Sequence, residues 1–304
     1  MEDYPRNLME VERRFATDNQ CRQYLSALRW PEGFVCPRCG GTRAWSMTRG
    51  LWVCRSCRHQ TSATAGTIFQ DTHLPLMLWF RVMWLVVSQK NGASALGIQR
   101  ALGLGSYKTA WAMLHKLRRA MVRPGRERLT GRIEVDEAYW GAEEEGVVGR
   151  LIENKVVFVV AAQAEGAGIG RIRMRRIPDV SRPTLHGFIG ESIERGSVIV
   201  TDGWSAYRGL EGYQHEPTVI SGSGRTASEL LPRVHRVVSL VKRWVLGTHQ
   251  GAIGEDHLDY YLDEFTFRFN RRTSASRGKL FYRLVQQAVQ VAPSPFSTLV
   301  RPNS

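Results

Sequence analysis

Four acidic residues stand where acids are expensive to keep. Glu134, Asp136 and Glu137 fall inside the strand-like run 132–139, and Asp202 closes the apolar run 197–201. Charged side chains seldom sit in a strand unless they face water or serve a purpose. Side chains alternate along a strand, so Glu134 and Asp136 share one face while Val135 and Glu137 share the other. Asp202 follows Asp136 by 66 residues and ends a buried-type strand, at the edge where sheets present ligands. Two carboxylates placed in this way, Asp136 and Asp202, can share divalent cations and hold them against a phosphodiester.

A second chemistry is written in cysteine. Cys36-Pro37-Arg38-Cys39 and Cys54-Arg55-Ser56-Cys57 are two C-x-x-C knuckles with 14 residues between them, a spacing that lets Cys36, Cys39, Cys54 and Cys57 converge on one tetrahedral Zn²⁺. A closed site of four thiolates is structural, and His59 is not needed in it. Two copies without thioredoxin-like surroundings speak against a redox role. Arg38, Arg43, Arg49, Arg55 and Arg58, interleaved with Trp45 and Trp52, give this module a surface suited to nucleic acid or protein. The fifth cysteine, Cys21, reads as a small buried residue of an N-terminal helix.

The elements that must carry these groups follow from periodicity and punctuation. Residues 1–30 read as an N-terminal helical segment with a helix over 18–28, and residues 31–70 as a zinc ribbon broken into turns by proline and glycine. Over 71–124, helices at 74–88, 93–102 and 107–121, with Gly103 and Gly105 in the last link, suggest a helix-turn-helix. Its third helix sets Lys108, His115, Lys116, Arg118 and Arg119 among Trp111, Leu114 and Leu117. An apolar stripe can then pack inward while Lys108, Lys116, Arg118 and Arg119 face a DNA groove; the plainer alternative is a solvated basic face. Residues 125–290 hold strands at 132–139, 156–163, 170–177 and 197–201, a helix at 184–194 and helices at 234–246 and 257–270. That order is mixed α/β. Residues 291–304, rich in Pro and Ser, read as a flexible tail.

Composition agrees with a nucleic-acid partner. The 304 residues carry 42 Lys and Arg against 28 Asp and Glu, a net charge of +14. Such a surplus favours a polyanion, because binding releases its condensed counterions. The start Met1-Glu2-Asp3-Tyr4-Pro5 lacks the features of a signal peptide, and the cysteine usage fits a reducing compartment, so an intracellular location is expected. The most apolar run, 74–88, contains Arg81 and falls short of the roughly 20 residues that cross a bilayer. No membrane partner is expected.

Several segments together resemble a known family. They are Gln60-Thr61-Ser62-Ala63-Thr64-Ala65-Gly66-Thr67-Ile68-Phe69, Glu134-Val135-Asp136-Glu137, Thr201-Asp202-Gly203-Trp204-Ser205-Ala206-Tyr207, Lys242-Arg243 and Tyr261-Leu262-Asp263-Glu264-Phe265-Thr266-Phe267-Arg268-Phe269-Asn270-Arg271. In this order, over nearly the whole chain, they resemble bacterial transposases of the insertion-sequence 1595 family (ISXO2-like, DDE type). The resemblance implies a zinc ribbon joined to an RNase H-like domain that carries an acidic metal-binding triad, with Asp136 and Asp202 as its first two members. It also implies Mg²⁺ or Mn²⁺ as catalytic cofactor, strand cleavage and strand transfer on double-stranded DNA (transposon ends and target), a homo-oligomer in the synaptic complex, and a cytoplasmic, nucleoid-associated location.

The third member departs from the pattern. Counting back from Lys242-Arg243, the place where relatives usually have Glu is held by His235, 33 residues after Asp202. Pro232 is placed to open a helix on which His235, Ser239 and Lys242 share a face. Imidazole binds metals, but Mg²⁺ prefers oxygen, so His235 is open to three roles: second ligand, general base or DNA contact. Glu229 is a weaker substitute. Arg236, Lys242 and Arg243 are expected to neutralise phosphates beside the site, and Arg268, Arg271 and Arg272 to extend that track. Two alternatives remain: a catalytically inactive, transposase-derived DNA-binding protein, and a structure-selective RNase H-like nuclease.

Overall fold

The computed structural model describes residues 2–47, 50–123, 125–141, 156–218, 224–251 and 253–300. Along the chain run α1 (Leu8–Arg14), α2 (Asp18–Arg29), β1 (Ala44–Ser46), β2 (Leu51–Cys54), β3 (Gln60–Ser62), α3 (Leu76–Ser88), α4 (Ala95–Leu102) and α5 (Tyr107–Ala120). There follow β4 (Arg132–Trp140), β5 (Val156–Glu165), β6 (Gly168–Ile177), α6 (Arg182–Ser192), β7 (Val198–Thr201) and β8 (Gln214–Pro217). The chain goes on through α7 (Ala227–Leu230), α8 (Pro232–His249), α9 (Leu258–Phe269), α10 (Arg277–Ala288) and α11 (Phe296–Val300). These elements fall into two compact units, residues 1–123 with 273–304, and residues 124–272.

The first unit holds the small antiparallel sheet β1-β2-β3 and a helical core. Thr17 and Gln20 form a capping box that fixes the start of α2, satisfying backbone donors the first turn leaves unpaired. Arg81, which interrupts the apolar run of α3, is bound by the Glu12 carboxylate of α1 at 2.9 and 2.7 Å, so α3 can remain buried. Helix α10 carries Leu280, Phe281, Leu284, Val285 and Ala288 on one buried stripe. Phe281 meets Phe80 and Trp84 of α3 at ring distances of 5.7 and 6.0 Å. Residues 273–290 therefore belong with the N-terminal unit, not with the 125–290 domain expected from sequence, and α11 gives structure to the expected tail. Close packing explains Gly278: a Cβ there would lie 1.8 Å from the Pro5 carbonyl oxygen.

The second unit is built on a five-stranded mixed sheet of order β6-β5-β4-β7-β8. β4, β5 and β6 pair antiparallel, whereas β7 joins β4 and β8 in parallel. Alternation along β4 and β5 divides their side chains between two cores. Ala138, Phe158, Val160 and Ala162 pack with Val234, Val237, Val241 and Trp244 of α8 and with Tyr261, Leu262 and Phe265 of α9. On the other face Ile133, Val135, Val159 and Ala161 pack with Leu185, Phe188 and Ile189 of α6 and with Tyr207. Helices on both faces make this an α/β unit. Among the described residues no helix is long and apolar enough to cross a membrane.

Candidate active site

β7 aligns with β4 through Ile133 opposite Ile199 and Glu134 opposite Val200. Two residues further along each chain come Asp136 and Asp202, level with one another. β7 stops at Thr201 while β4 runs on to Trp140, leaving a notch beside β4. Asp202 turns into it, its carboxylate accepting from the Trp204 N–H at 3.0 Å. Asp136 accepts from the Glu137 N–H at 2.9 Å. The notch also collects a residue that alternation assigned to the opposite face: Glu137 is 8% exposed, and ligand oxygens of Asp136, Glu137 and Asp202 all lie within 4.8 Å of one another. An open strand edge lets side chains from both faces reach one point. The buried Tyr207 hydroxyl donates to Glu137 Oε2 at 2.9 Å. Burial, and then the charge of Glu137, hold the Tyr207 phenol well above its ordinary range, so it remains a donor. Glu137 was missed as a ligand by sequence reasoning. Its only signal was an unexplained acid in an apolar strand.

Glu134 has a different task. Its Oε2 accepts from the backbone N–H groups of Arg233 and Val234 at 2.7 and 3.0 Å, and its Oε1 from Arg233 Nη1 at 2.8 Å. These amides open α8, where Leu231 at the cap position offers no side-chain acceptor. A carboxylate from another element thus caps the helix and meets the positive end of its dipole. One turn along, His235 Nε2 lies 3.6 Å from Asp136 Oδ2. That nitrogen is buried and has no hydrogen-bond partner among the described residues. Burial holds the imidazole below its ordinary pKa against the opposing pull of Glu134 and Asp202, which favours the neutral, ligating form. Three clustered carboxylates and an unbonded imidazole nitrogen are a donor set that fits a divalent cation. Glu229 is engaged in its own cap, accepting from Thr226 N–H at 2.6 Å and from Thr226 Oγ1 at 2.9 Å.

The four knuckle cysteines form the second cluster, also within 4.8 Å. Sγ–Sγ separations are 3.7 Å for Cys36 and Cys57 and 3.6 Å for Cys39 and Cys54. Tetrahedral geometry with Zn–S bonds of about 2.3 Å requires roughly 3.8 Å. The knuckles are built alike, since the residue after each second cysteine, Gly40 or Arg58, has positive φ at 72° or 60° and donates its N–H back to Cys36 or Cys54. The cysteines are thus arranged for zinc in a ribbon. Residues 16–60, which include all four, match a transposase zinc-ribbon domain, and residues 128–270, which include every carboxylate above and His235, match the ISXO2-like transposase domain of the same family. The chain belongs to the insertion-sequence 1595 family of ISXO2-like transposases. A protein of Halobacterium salinarum, described as an uncharacterized protein in transposable element ISH50, is 26% identical over 282 residues, covering 84% of this chain and 91% of that one.

In this insertion-sequence 1595 chain the basic residues singled out from sequence are placed unequally. Arg236, Lys242 and Arg243 are exposed on α8, and His235, Ser239, Lys242 and Arg243 line one shallow groove along it. Lys108 is exposed, and Lys116 and Arg119 are half-buried. Arg118 departs from the expectation that the cations of α5 face outward: it is 1% exposed, with Nη1 3.3 Å from Nε2 of the equally buried His115. It sits on the same side of α5 as Leu114 and Leu117, and its long aliphatic stem is carried into the core with them. The expected extension of the track is likewise engaged within its own unit. Arg268 pairs with Glu264 at 3.7 Å, Arg271 lies 4.1 Å from the Phe267 ring centroid, and Arg272 donates to the Gly170 and Phe269 carbonyls. On the ribbon Arg38, Arg43, Arg55 and Arg58 are exposed, Arg58 lying over Trp45. Arg49 lies outside the described residues.

Proposed function

We propose that this protein is a DDE-type transposase that cuts DNA at the ends of its own insertion sequence and joins the freed 3′ ends to target DNA. The observation that carries the reading is the convergence of Asp136, Glu137 and Asp202 within 4.8 Å in a notch overlooked by His235, inside the family's transposase domain. Mg²⁺ or Mn²⁺ held by Asp136, Asp202 and Glu137, with His235 in the third place of the triad, would activate the attacking oxygen and stabilise the leaving 3′ oxygen. Tyr207 orients Glu137, and Glu134 holds the start of α8 so that His235 faces Asp136. Arg236, Lys242 and Arg243, exposed beside the notch, bind the phosphates flanking the scissile bond. The sheet with helices on both faces and carboxylates at the β4 and β7 ends is read as RNase H-like. α3–α5 are read as a helix-turn-helix in which Lys108, Lys116 and Arg119, with the zinc ribbon, recognise the ends. Joining two ends calls for a homo-oligomer, acting in the cytoplasm on nucleoid DNA.

The test is strand cleavage and strand transfer by the full chain on DNA carrying the element's ends, with Mg²⁺ or Mn²⁺, comparing wild type with Asp202→Ala and His235→Ala. Cleavage by wild type and failure of both variants upholds the reading. His235, standing where a carboxylate is expected, favours one competing reading, a transposase-derived DNA-binding protein without turnover. End binding by wild type without cutting in either metal would establish that one.

A further inference from the structure

At the edge of the sheet formed by β6, two strands from β4, lies a cavity of about 350 Å³ whose lining includes Arg126, Arg173, Met174, Arg176, Asp259 and Asp263. Most of its charges are already matched. Arg175 pairs with Glu191 of α6, and Asp259 of α9 accepts from the Arg176 N–H at 2.9 Å and lies 3.6 Å from Arg176 Nε. Arg173 donates to the carbonyls of Ile172 and Glu127, which leaves its positive charge without an acid in contact. Arg126, half-buried, makes no hydrogen bond or close salt bridge among the described residues; the charge that opposes it is that of Asp263, within electrostatic reach but not in contact. Burial, and then the other arginines, depress the pKa of Arg173 to about 10, and burial raises Asp263 to about 7. Clustered cations held partly out of water in this way are stabilised by an anion.

The backbone supplies a third donor. An outermost strand turns alternate N–H and C=O groups outward. At Ile172 these outward groups bond the Asn270 side chain at 2.7 and 3.0 Å, and at Arg176 the N–H bonds Asp259. Met174 stands between them in the same register, and it is this residue that lines the cavity. A gap of one residue is too short to pair with an added strand, but it suits one small polar group. We propose that this cavity binds a phosphodiester of the DNA backbone outside the active site, with the Arg126 guanidinium, the Arg173 charge and the Met174 N–H as its donors. The proposal rests on the reading that the protein acts on DNA.

The assay measures binding of the full chain to double-stranded DNA of mixed sequence without divalent cations, over about 50 to 200 mM salt, where phosphate contacts are read from the slope. Arg126→Ala should weaken binding roughly tenfold, the value of one charge-assisted hydrogen bond, and reduce the salt slope by about one. Asp263→Asn removes the acid that competes for Arg126, so at pH 8 it should bind tighter than wild type, a gain that general destabilisation would not produce. Near pH 6, where the Asp263 carboxyl is mostly protonated, the two should converge. Wild-type affinity and slope in both variants would overturn the proposal. So would an effect confined to competition by inorganic phosphate, which would make the cavity a site for the free ion. Metal-dependent cleavage is scored separately: variant effects on binding with no cleavage by wild type leave the cavity standing and remove the transposase reading, and cleavage with unaltered binding does the reverse.

Discussion

Glu134 and Glu137 lie three positions apart and have opposite uses, Glu137 turned to the notch and Glu134 holding a helix. For Glu137→Gln the expected outcome is cleavage that needs a higher Mn²⁺ concentration while DNA binding is unchanged, read from a metal titration; an unaltered titration would remove Glu137 from the ligand set. Glu134→Ala strips buried acceptors from two helix-opening amides and a guanidinium. Hydrogen bonds to charged groups contribute about 1.5–3 kcal/mol each, so a fall in the melting temperature of the 124–272 unit is expected in calorimetry, with Glu134→Gln losing less. Asp263 adds a pH signature. Burial lifts its folded pKa to about 7, above the ordinary carboxylate range, so the folded state retains a proton that the unfolded chain releases. Stability therefore falls as pH rises from about 4 to 7 and is level above that. Asp263→Asn should raise the melting temperature at pH 8 and leave it near wild type at pH 4.

At the scale of the element, the features visible in the chain were those whose cause is local. The C-x-x-C knuckles, the strand around Asp136 and the helix opened by Pro232 each follow from spacing, alternation or a fixed φ. What was hidden depends on partners far away in sequence. Glu137 reaches the ligands because β7 ends early, and nothing within 132–139 records where another strand stops. Arg118 reads as an outward cation by charge, yet the neighbours of α5 take it inward. Helix α10 has an apolar stripe, but no stripe names the core it will join. Within the ribbon the elements are short and their own core is small, built on Phe34, Cys36 and Cys54 with Trp30 and Trp52, so zinc held by the four thiolates would supply the folding energy. Chelation should therefore abolish hydrogen-exchange protection across β1–β3 while the thermal transition of residues 124–272 persists. Loss of that transition as well would mean that zinc stabilises more than the ribbon.

Over the whole molecule, one unit is assembled from two separated stretches of chain and the other from one continuous stretch. Phe281 packs beside Phe80 and Trp84 and joins the aromatic cluster that Phe15 and Tyr24 build around Phe80. Deleting 273–304 should therefore expose that aromatic cluster and remove the melting transition of the N-terminal unit, leaving that of 124–272, as calorimetry and limited proteolysis would show. Gly278→Ala is a milder version. Forcing a methyl into packed backbone costs about 1–3 kcal/mol, and the Pro5 segment must shift to accept it.

This return of the chain also sets an order in time. As a polypeptide leaves the ribosome, domains generally fold as units from the N-terminus onward, but here the second unit is complete at residue 272 whereas the first waits for α10. The sheet that carries Asp136 and Asp202 can be finished while the helices that bury Phe80 still lack their last partner. A nascent chain would then present its carboxylates before its N-terminal unit had become a stable body, and that unit would mature only once α10 had joined it.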